Sequence, residues 1–392
     1  MALPLLLYFV EDFKQRKVET MNANKNLLLV TVSLGAALLF TGCSDKTFTA
    51  SPESLRTKCV DSTPEQNCVV TCTDAGLCSN NYDYQVDAVT GMADILFVVD
   101  NSGSMSQEQR EMGTKFPSFL NSVADLDYRI GITTTDISGP GNAPDANNGF
   151  GSLQDGKLIQ FNSGQFFLDG SYDLASEQNL FLETIQRDET INCENGGYTE
   201  EHCPSGDERG ILAAYMTMAS NPNNFIREDG HMALIFLSDE DERSQGGNLE
   251  SIEDPSAFLS AFQQVFPKKS IKAHSIVIRP GDSSCLSQQS SGHTPRGFYG
   301  ETYAELSQLT GGVLGNICAS NFSNQLQEIG DDVAQPREIL PCRPLNDDVT
   351  VSFIPEPSYQ VDVVKNLANN EILFSRGLPK DTKIRFQFSC AQ

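Results

Sequence analysis

The chain has 392 residues, with 52 acidic against 27 basic side chains and a formal net charge of −25. That balance excludes nucleic acid as a partner and excludes electrostatic docking on anionic membranes; it suits a surface-exposed protein or one that gathers cations. The length suits two or three domains, and the 39% hydrophobic content supplies at least one packed core. Eleven cysteines are too few for a disulfide-only scaffold and too many for a routine cytosolic enzyme, and the odd count asks for a reason.

The N-terminal region offers one. Met21 opens a short polar stretch carrying Lys25, and an apolar run from Leu27 to Phe40 follows. This run is too short to span a bilayer permanently and suits the apolar core of a secretory signal. It ends Leu39-Phe40-Thr41-Gly42-Cys43, small residues before a cysteine. The pattern resembles the lipobox of bacterial lipoproteins, in which the cysteine becomes the lipidated N-terminus, although Phe40 stands where that pattern prefers Leu. The alternative is an ordinary signal peptide with Cys43 a stray thiol. Glu11, Asp12 and Glu19 sit awkwardly ahead of a signal, so translation is expected to start at Met21, with 1–42 an upstream extension plus signal. Ser44 after the cysteine resembles sorting to an outer membrane. The resemblance implies a bacterial cell-envelope protein held at the membrane by several acyl chains, since one chain alone anchors weakly.

Residues 43–91 read as a lipidated tether and Cys-rich segment, with little periodicity. Cys59, Cys68, Cys72 and Cys78 follow a C-x8-C-x3-C-x5-C spacing. Zinc is the rival there, but the group has no CxxC pair, and extracytoplasmic cysteines oxidise, so two disulfides are expected within it. The other natural pairs are Cys193–Cys203, Cys285–Cys318 and Cys342–Cys390. With Cys43 taken by lipid, the odd count is explained.

From Ala93 the texture changes. Asp94–Asp100 holds a continuous apolar run, as in a strand buried on both faces of a parallel sheet. A helix is predicted over 106–126, a strand over 128–135, a hairpin around 157–161 and 165–168, and helices over 174–187 and 208–219. Then come a strand at 232–237, a helix at 255–266, a strand at 272–278, a helix at 303–309, a strand at 312–318 and an amphipathic helix at 322–333. Strands alternating with helices specify an α/β fold over 92–335, a doubly wound, mostly parallel open sheet of Rossmann-like kind. Over 336–392, Val349/Val351/Phe353, Val361/Val363, Ile372/Phe374 and Ile384/Phe386/Phe388 alternate with polar residues, predicting a small antiparallel β unit stapled by Cys342–Cys390.

Ligands of open α/β sheets bind beyond the carboxyl ends of the strands. The first buried strand ends Asp100-Asn101-Ser102-Gly103-Ser104, the second ends at Asp136, and a later one ends Ser238-Asp239. Carboxylate and hydroxyl oxygens without histidine or cysteine suit a hard divalent cation. Asp100-x-Ser102-x-Ser104 after a buried strand, with Asp239 after another, resembles the von Willebrand factor A domain and its metal-ion-dependent adhesion site. The resemblance covers roughly 92–335. It implies metal ligation by Asp100, Ser102, Ser104 and Asp239, with Mg²⁺ first and Ca²⁺ or Mn²⁺ as alternatives, and a protein ligand offering a carboxylate to the metal. The family's threonine from a later loop is missing. Pro204-Ser205-Gly206-Asp207-Glu208 stands there, so Ser205 is the first choice, with Glu208 or Asp207 as carboxylate substitutes. Asp136 is expected beside the metal rather than on it. The run Asp239–Glu242 reads as a solvated loop or a helix start, with a second calcium the sharper alternative.

No enzyme is expected. His202, His231, His274 and His293 form no HExxH, and there is no GxSxG elbow and no Gly-rich turn followed by Lys-Ser/Thr. Two functions follow: a lipid-anchored adhesion or protein-binding module, or an assembly subunit of an envelope complex that uses the metal for order.

Overall fold

A computed structural model describes residues 66–72, 78–87, 91–138, 153–199, 202–204, 208–228, 230–243, 249–266, 269–291, 297–367, 370–375, 378 and 382–391. Its first elements are two strands, β1 (Gln66–Cys72) and β2 (Cys78–Asp87), paired antiparallel from Gln66 opposite Tyr84 to Cys72 opposite Cys78. The chain then winds through β3 (Met92–Val99), α1 (Ser106–Val123), β4 (Asp127–Thr134), α2 (Leu174–Ile185), α3 (Asp188–Asn195), α4 (Gly210–Ser220) and β5 (His231–Leu237). Next come α5 (Pro255–Val265), β6 (Ile271–Val277), α6 (Ser283–Gln289), α7 (Glu301–Thr310), β7 (Leu314–Asn316) and α8 (Phe322–Ala334). Strands β8 (Arg337–Ile339), β9 (Pro344–Ile354), β10 (Val363–Asn366), β11 (Glu371–Phe374) and β12 (Lys383–Ala391) follow.

The central sheet runs β4-β3-β5-β6-β7 and every pairing in it is parallel, which makes this the doubly wound α/β sheet that the apolar runs predicted. Strand order reverses at β3, whose neighbours β4 and β5 lie on either side. Both faces of β3 are buried, so its residues alternate between two cores. Ile95, Phe97 and Val99 pack with α1, α2 and α8, while Leu96 and Val98 pack with α4, α5 and α7. Phe97 meets Phe116, Phe119 and Phe181 edge-on, with ring centroids 6.0, 5.4 and 4.9 Å away. Gly113 lets α2 approach α1 closely, since a Cβ there would lie 2.5 Å from the Leu182 side chain. Short polar residues start the helices. Asp173 accepts from the Ser176 N–H at the head of α2, and Asp254 accepts from the Ala257 N–H just before Pro255 opens α5.

The structure departs from expectation in three places. Residues 157–168 form no regular hairpin. Only the turn is there, with the Phe161 N–H donating to the Gln165 carbonyl, while Ile159 donates to Ile132 and Leu168 bridges Ile130. The segment spends its hydrogen bonds on the open edge of β4 and covers it. Helices α3 and α6 have no counterpart in the sequence expectations, because their residues are mostly polar. Finally, 43–91 and 336–392 were read as separate units, yet strands from both form one antiparallel sheet in the order β1-β2-β12-β9. Tyr82 and Tyr84 fill that sheet's core with Phe386 and Phe388, and Ile372 and Phe374 join from the small sheet β10-β11-β8.

Candidate metal site at the carboxyl edge of the sheet

Sheet register brings three chain segments to one edge. Val99 pairs with Thr134 on one side and Leu237 on the other, so the residues after β3, β4 and β5 leave the sheet at the same level. The Asp100 N–H still donates to the Leu237 carbonyl at 2.9 Å, and the Thr135 N–H to the Val99 carbonyl at 3.2 Å. The Asp100 carboxylate is held at both oxygens. Oδ1 accepts from the Ser102 N–H at 2.8 Å, and Oδ2 accepts from the Ser238 hydroxyl at 2.6 Å. The Ser102 and Ser104 hydroxyls lie 3.0 Å apart, and Ser104 donates to Asp239 Oδ1 at 3.0 Å. Asp100, Ser102, Ser104 and Asp239 are thus joined in one hydrogen-bonded patch.

Glu208 belongs to the same neighbourhood. Its carboxylate accepts from the Thr135 hydroxyl, and the charge of Asp100 acts on it directly. Asp136 sits beside it, accepting from the Thr134 hydroxyl and from the Gln154 N–H at 3.2 Å. Ser205 and Asp207 lie outside the described residues, as do Cys43 and Cys59. The side chains of Cys68, Cys72 and Cys78 also lie outside what is described. Thr135 is the site residue that sequence reading missed. Its only signal was its place at a strand end, in a Thr-Thr-Thr-Asp run that reads as ordinary strand.

Electrostatics make the patch costly when empty of cations. Asp100, Asp239, Glu208 and Glu240 are each no more than 3% exposed. Burial pushes the Asp239 carboxyl well above the usual range, and the charges of Asp100 and Glu240 push it further. Glu208 is raised for the same reasons in the same order. Burial raises Asp100 against the opposing hydrogen bonds from Ser238 and Ser102, and lifts Asp136 to about 6. Among the described residues, no three His, Cys, Asp or Glu side chains form a metal-holding group by themselves. The oxygens that converge are two carboxylates and two serine hydroxyls.

The acidic run after β5 divides its labour and is not a solvated loop. Asp239 faces the patch. Asp241 accepts from the Thr302 N–H at 3.0 Å and its hydroxyl at 2.9 Å, at the head of α7. Glu242, 3% exposed, accepts from the Ile211 and Leu212 N–H groups at 2.8 and 3.1 Å, at the head of α4. It also accepts from the Tyr303 hydroxyl at 3.1 Å. Two carboxylates that might have held a second calcium are therefore engaged with helix starts.

A buried polar cluster ties α1 and α3 to the motif loop. Gln109 Nε2 donates to the Asp100 carbonyl and to the Thr190 hydroxyl, both at 2.9 Å, while its Oε1 accepts from the Arg187 N–H at 3.0 Å. Thr190 donates to the Asn101 carbonyl at 2.8 Å. Among the described residues three disulfides are present, Cys193–Cys203, Cys285–Cys318 and Cys342–Cys390. The first lies against the site: a Cβ on Gly103 would fall 2.6 Å from Cys193 Sγ and 2.9 Å from the Tyr198 ring.

No protein-family model matches the chain, and no curated protein matches it. Among solved structures, the chain is similar to the pilus adhesin SpaC from Lactobacillus rhamnosus GG in its open conformation (13% identity, TM-score 0.36), over 83% of this chain and 42% of the adhesin. It is also similar to the human COPII-coat protein Sec24c (10% identity, TM-score 0.36), over 79% of this chain and 46% of that one. A third similar structure is VWA2, the ArnB paralog from Sulfolobus acidocaldarius (12% identity, TM-score 0.30), over 83% of this chain and 67% of that one. The chain spans less than half the length of the adhesin and of the coat protein.

Proposed function

We propose that the chain is a lipid-anchored protein of the bacterial cell envelope, held at the outer membrane through Cys43, whose α/β domain binds one divalent cation and through it a protein partner. The observation that carries this reading is the convergence of Asp100, Ser102, Ser104 and Asp239 on one buried patch at the carboxyl ends of adjacent parallel strands.

The donor set fits a hard cation. It is all oxygen, and Mg²⁺ suits it first, with Ca²⁺ and Mn²⁺ satisfied by the same chemistry. Burial and mutual repulsion drive these carboxylates toward their protonated forms, and a dication relieves both costs at once. Asp100 and Asp239 would supply its charge neutralisation, and Ser102 and Ser104 neutral oxygens. A bound cation supplies a Lewis-acidic position for a partner's carboxylate. This chain's residues hold and orient; the reading is capture without turnover.

Glu208 favours a second reading, an assembly subunit in which the metal serves order. It places another buried carboxylate next to the patch, where the family pattern has a neutral threonine, and lessens the need for a partner's acid.

Calorimetric titration of the full chain with MgCl₂ tests the site, and Asp100→Ala and Asp239→Ala should each abolish the binding heat. Pull-downs from solubilised envelopes in Mg²⁺ or EDTA then separate the two readings. Partners lost in EDTA and in Asp239→Ala support capture; partners retained in both support assembly. Unchanged Mg²⁺ affinity in Asp239→Ala would overturn the site itself.

A further inference from the structure

Helix α3 contributes no residue to the candidate donor set, yet it touches the motif loop by two independent routes. The first is polar. Thr190, fully buried on α3, donates to the Asn101 carbonyl and accepts from Gln109, whose same amide also holds the Asp100 carbonyl. Two successive carbonyls of the motif loop are therefore fixed from α3 and α1, and Gln109 is tied in turn to the Arg187 N–H just ahead of α3. The second route is steric. Cys193 is 2% exposed and its sulfur lies over Gly103, the residue between the two motif serines, in a space that no Cβ shares.

Cys193 is also disulfide-bonded to Cys203. Past Cys203 the chain leads to Glu208 and to Arg209, whose N–H donates to the Thr135 carbonyl at 3.0 Å. The bond therefore ties the element that seats the motif loop to a point five residues before Glu208 in the sequence.

We propose that α3, through Thr190 and the Cys193–Cys203 bond, is the positioning element of the cation site, fixing the motif loop so that its oxygens are set before the cation arrives. The proposal rests on the cation reading above. Thr190, Gln109 and Cys193 are positioning residues that act through the motif backbone. Preorganised ligands bind more tightly because the ordering cost is met during folding, so loosening them weakens binding even where the ligands are intact.

The test measures Mg²⁺ affinity by calorimetry in the full chain for Thr190→Val, Thr190→Ser and the double variant Cys193→Ala/Cys203→Ala. Thermal midpoints in EDTA are recorded alongside. Thr190→Val keeps the shape and removes the hydroxyl, and should weaken Mg²⁺ binding about tenfold, which is about 1.4 kcal/mol; Thr190→Ser should recover most of that loss. The double variant should weaken binding at least as much at temperatures where its circular dichroism matches wild type. A purely structural role would lower the thermal midpoints and leave affinity unchanged, and that result overturns the proposal. If the double variant does not fold, the Val/Ser pair decides alone. Absence of Mg²⁺ binding by the wild-type chain would instead sink the cation reading on which the proposal stands.

Discussion

At the scale of single residues, the carboxylates after β5 show how neighbouring acids acquire unrelated roles. Asp239 faces the patch it shares with Asp100, Ser102 and Ser104, while Asp241 and Glu242 close the heads of two helices. Burial lifts Glu242 to about 8 from its ordinary 4.5, against the hydrogen bond from Ile211 and with the charge of Glu253 adding to the rise. The sign for stability follows. An unfolded glutamate ionises near 4.5, whereas the folded one keeps its proton to about 8. The stability it contributes is complete below 4.5 and is lost as the pH rises through 8. Glu242→Gln cannot titrate, so in EDTA its stability should fall less than that of wild type between pH 5 and pH 8. Urea midpoints at the two pH values measure this, and parallel changes in both proteins would refute it. Of this division, only the place of Asp239 at the patch was legible in sequence. The run reads as solvated acid because its partners, Ile211 and Thr302, are brought close only by the fold. The Asp100-x-Ser102-x-Ser104 motif was legible because its residues are contiguous on one turn. Thr135 reaches it only through sheet register, and Glu208, which the sequence offered as a carboxylate substitute, joins through the Thr135 hydroxyl.

At the scale of elements, legibility followed burial. Strands β3 and β5 are buried on both faces and read as nearly continuous apolar runs, whereas β6, equally buried, interrupts its run with Lys272, His274 and Ser275. Helix α3 buries chiefly Thr190 and Cys193, too little apolar surface to leave a periodic trace. In β2, Tyr82, Tyr84 and Val86 alternate with polar residues, but the pattern is short and lies among asparagines and cysteines. Helix α2 carries a clearer dependence. Phe181 is fully buried, with its ring stacked on Phe116 and edge-on to Phe97. Phe181→Ala removes the aromatic anchor between α2 and the sheet and should cost about 3–5 kcal/mol. Chemical denaturation in EDTA reads that loss. A cost under about 1 kcal/mol would mean that α2 is held from elsewhere, with Gly113 and Leu182 the next contact to examine.

At the scale of the whole molecule, the antiparallel sheet has a mechanical consequence. The chain passes from β2 into β3, which ends just before Asp100, so tension between the α/β domain and the segment before β2 runs along the axis of β2. That strand is paired with β12 at nine positions, from Asp87 opposite Lys383 to Ser79 opposite Ala391. A pull along the strand loads all the rungs together in shear, whereas a hairpin pulled apart from its open end gives way one rung at a time. β1 is such a hairpin arm, since Gln66 lies opposite Tyr84 near the end of β2 that continues into β3. Pulling by optical trap between residue 66 and a handle on the α/β domain, in reducing buffer, should first peel β1 at low force. A single high-force rip with no earlier low-force step would refute this. On this account the antiparallel sheet yields first at the β1–β2 pairing, and β2 then passes tension straight into β3 along the covalent chain.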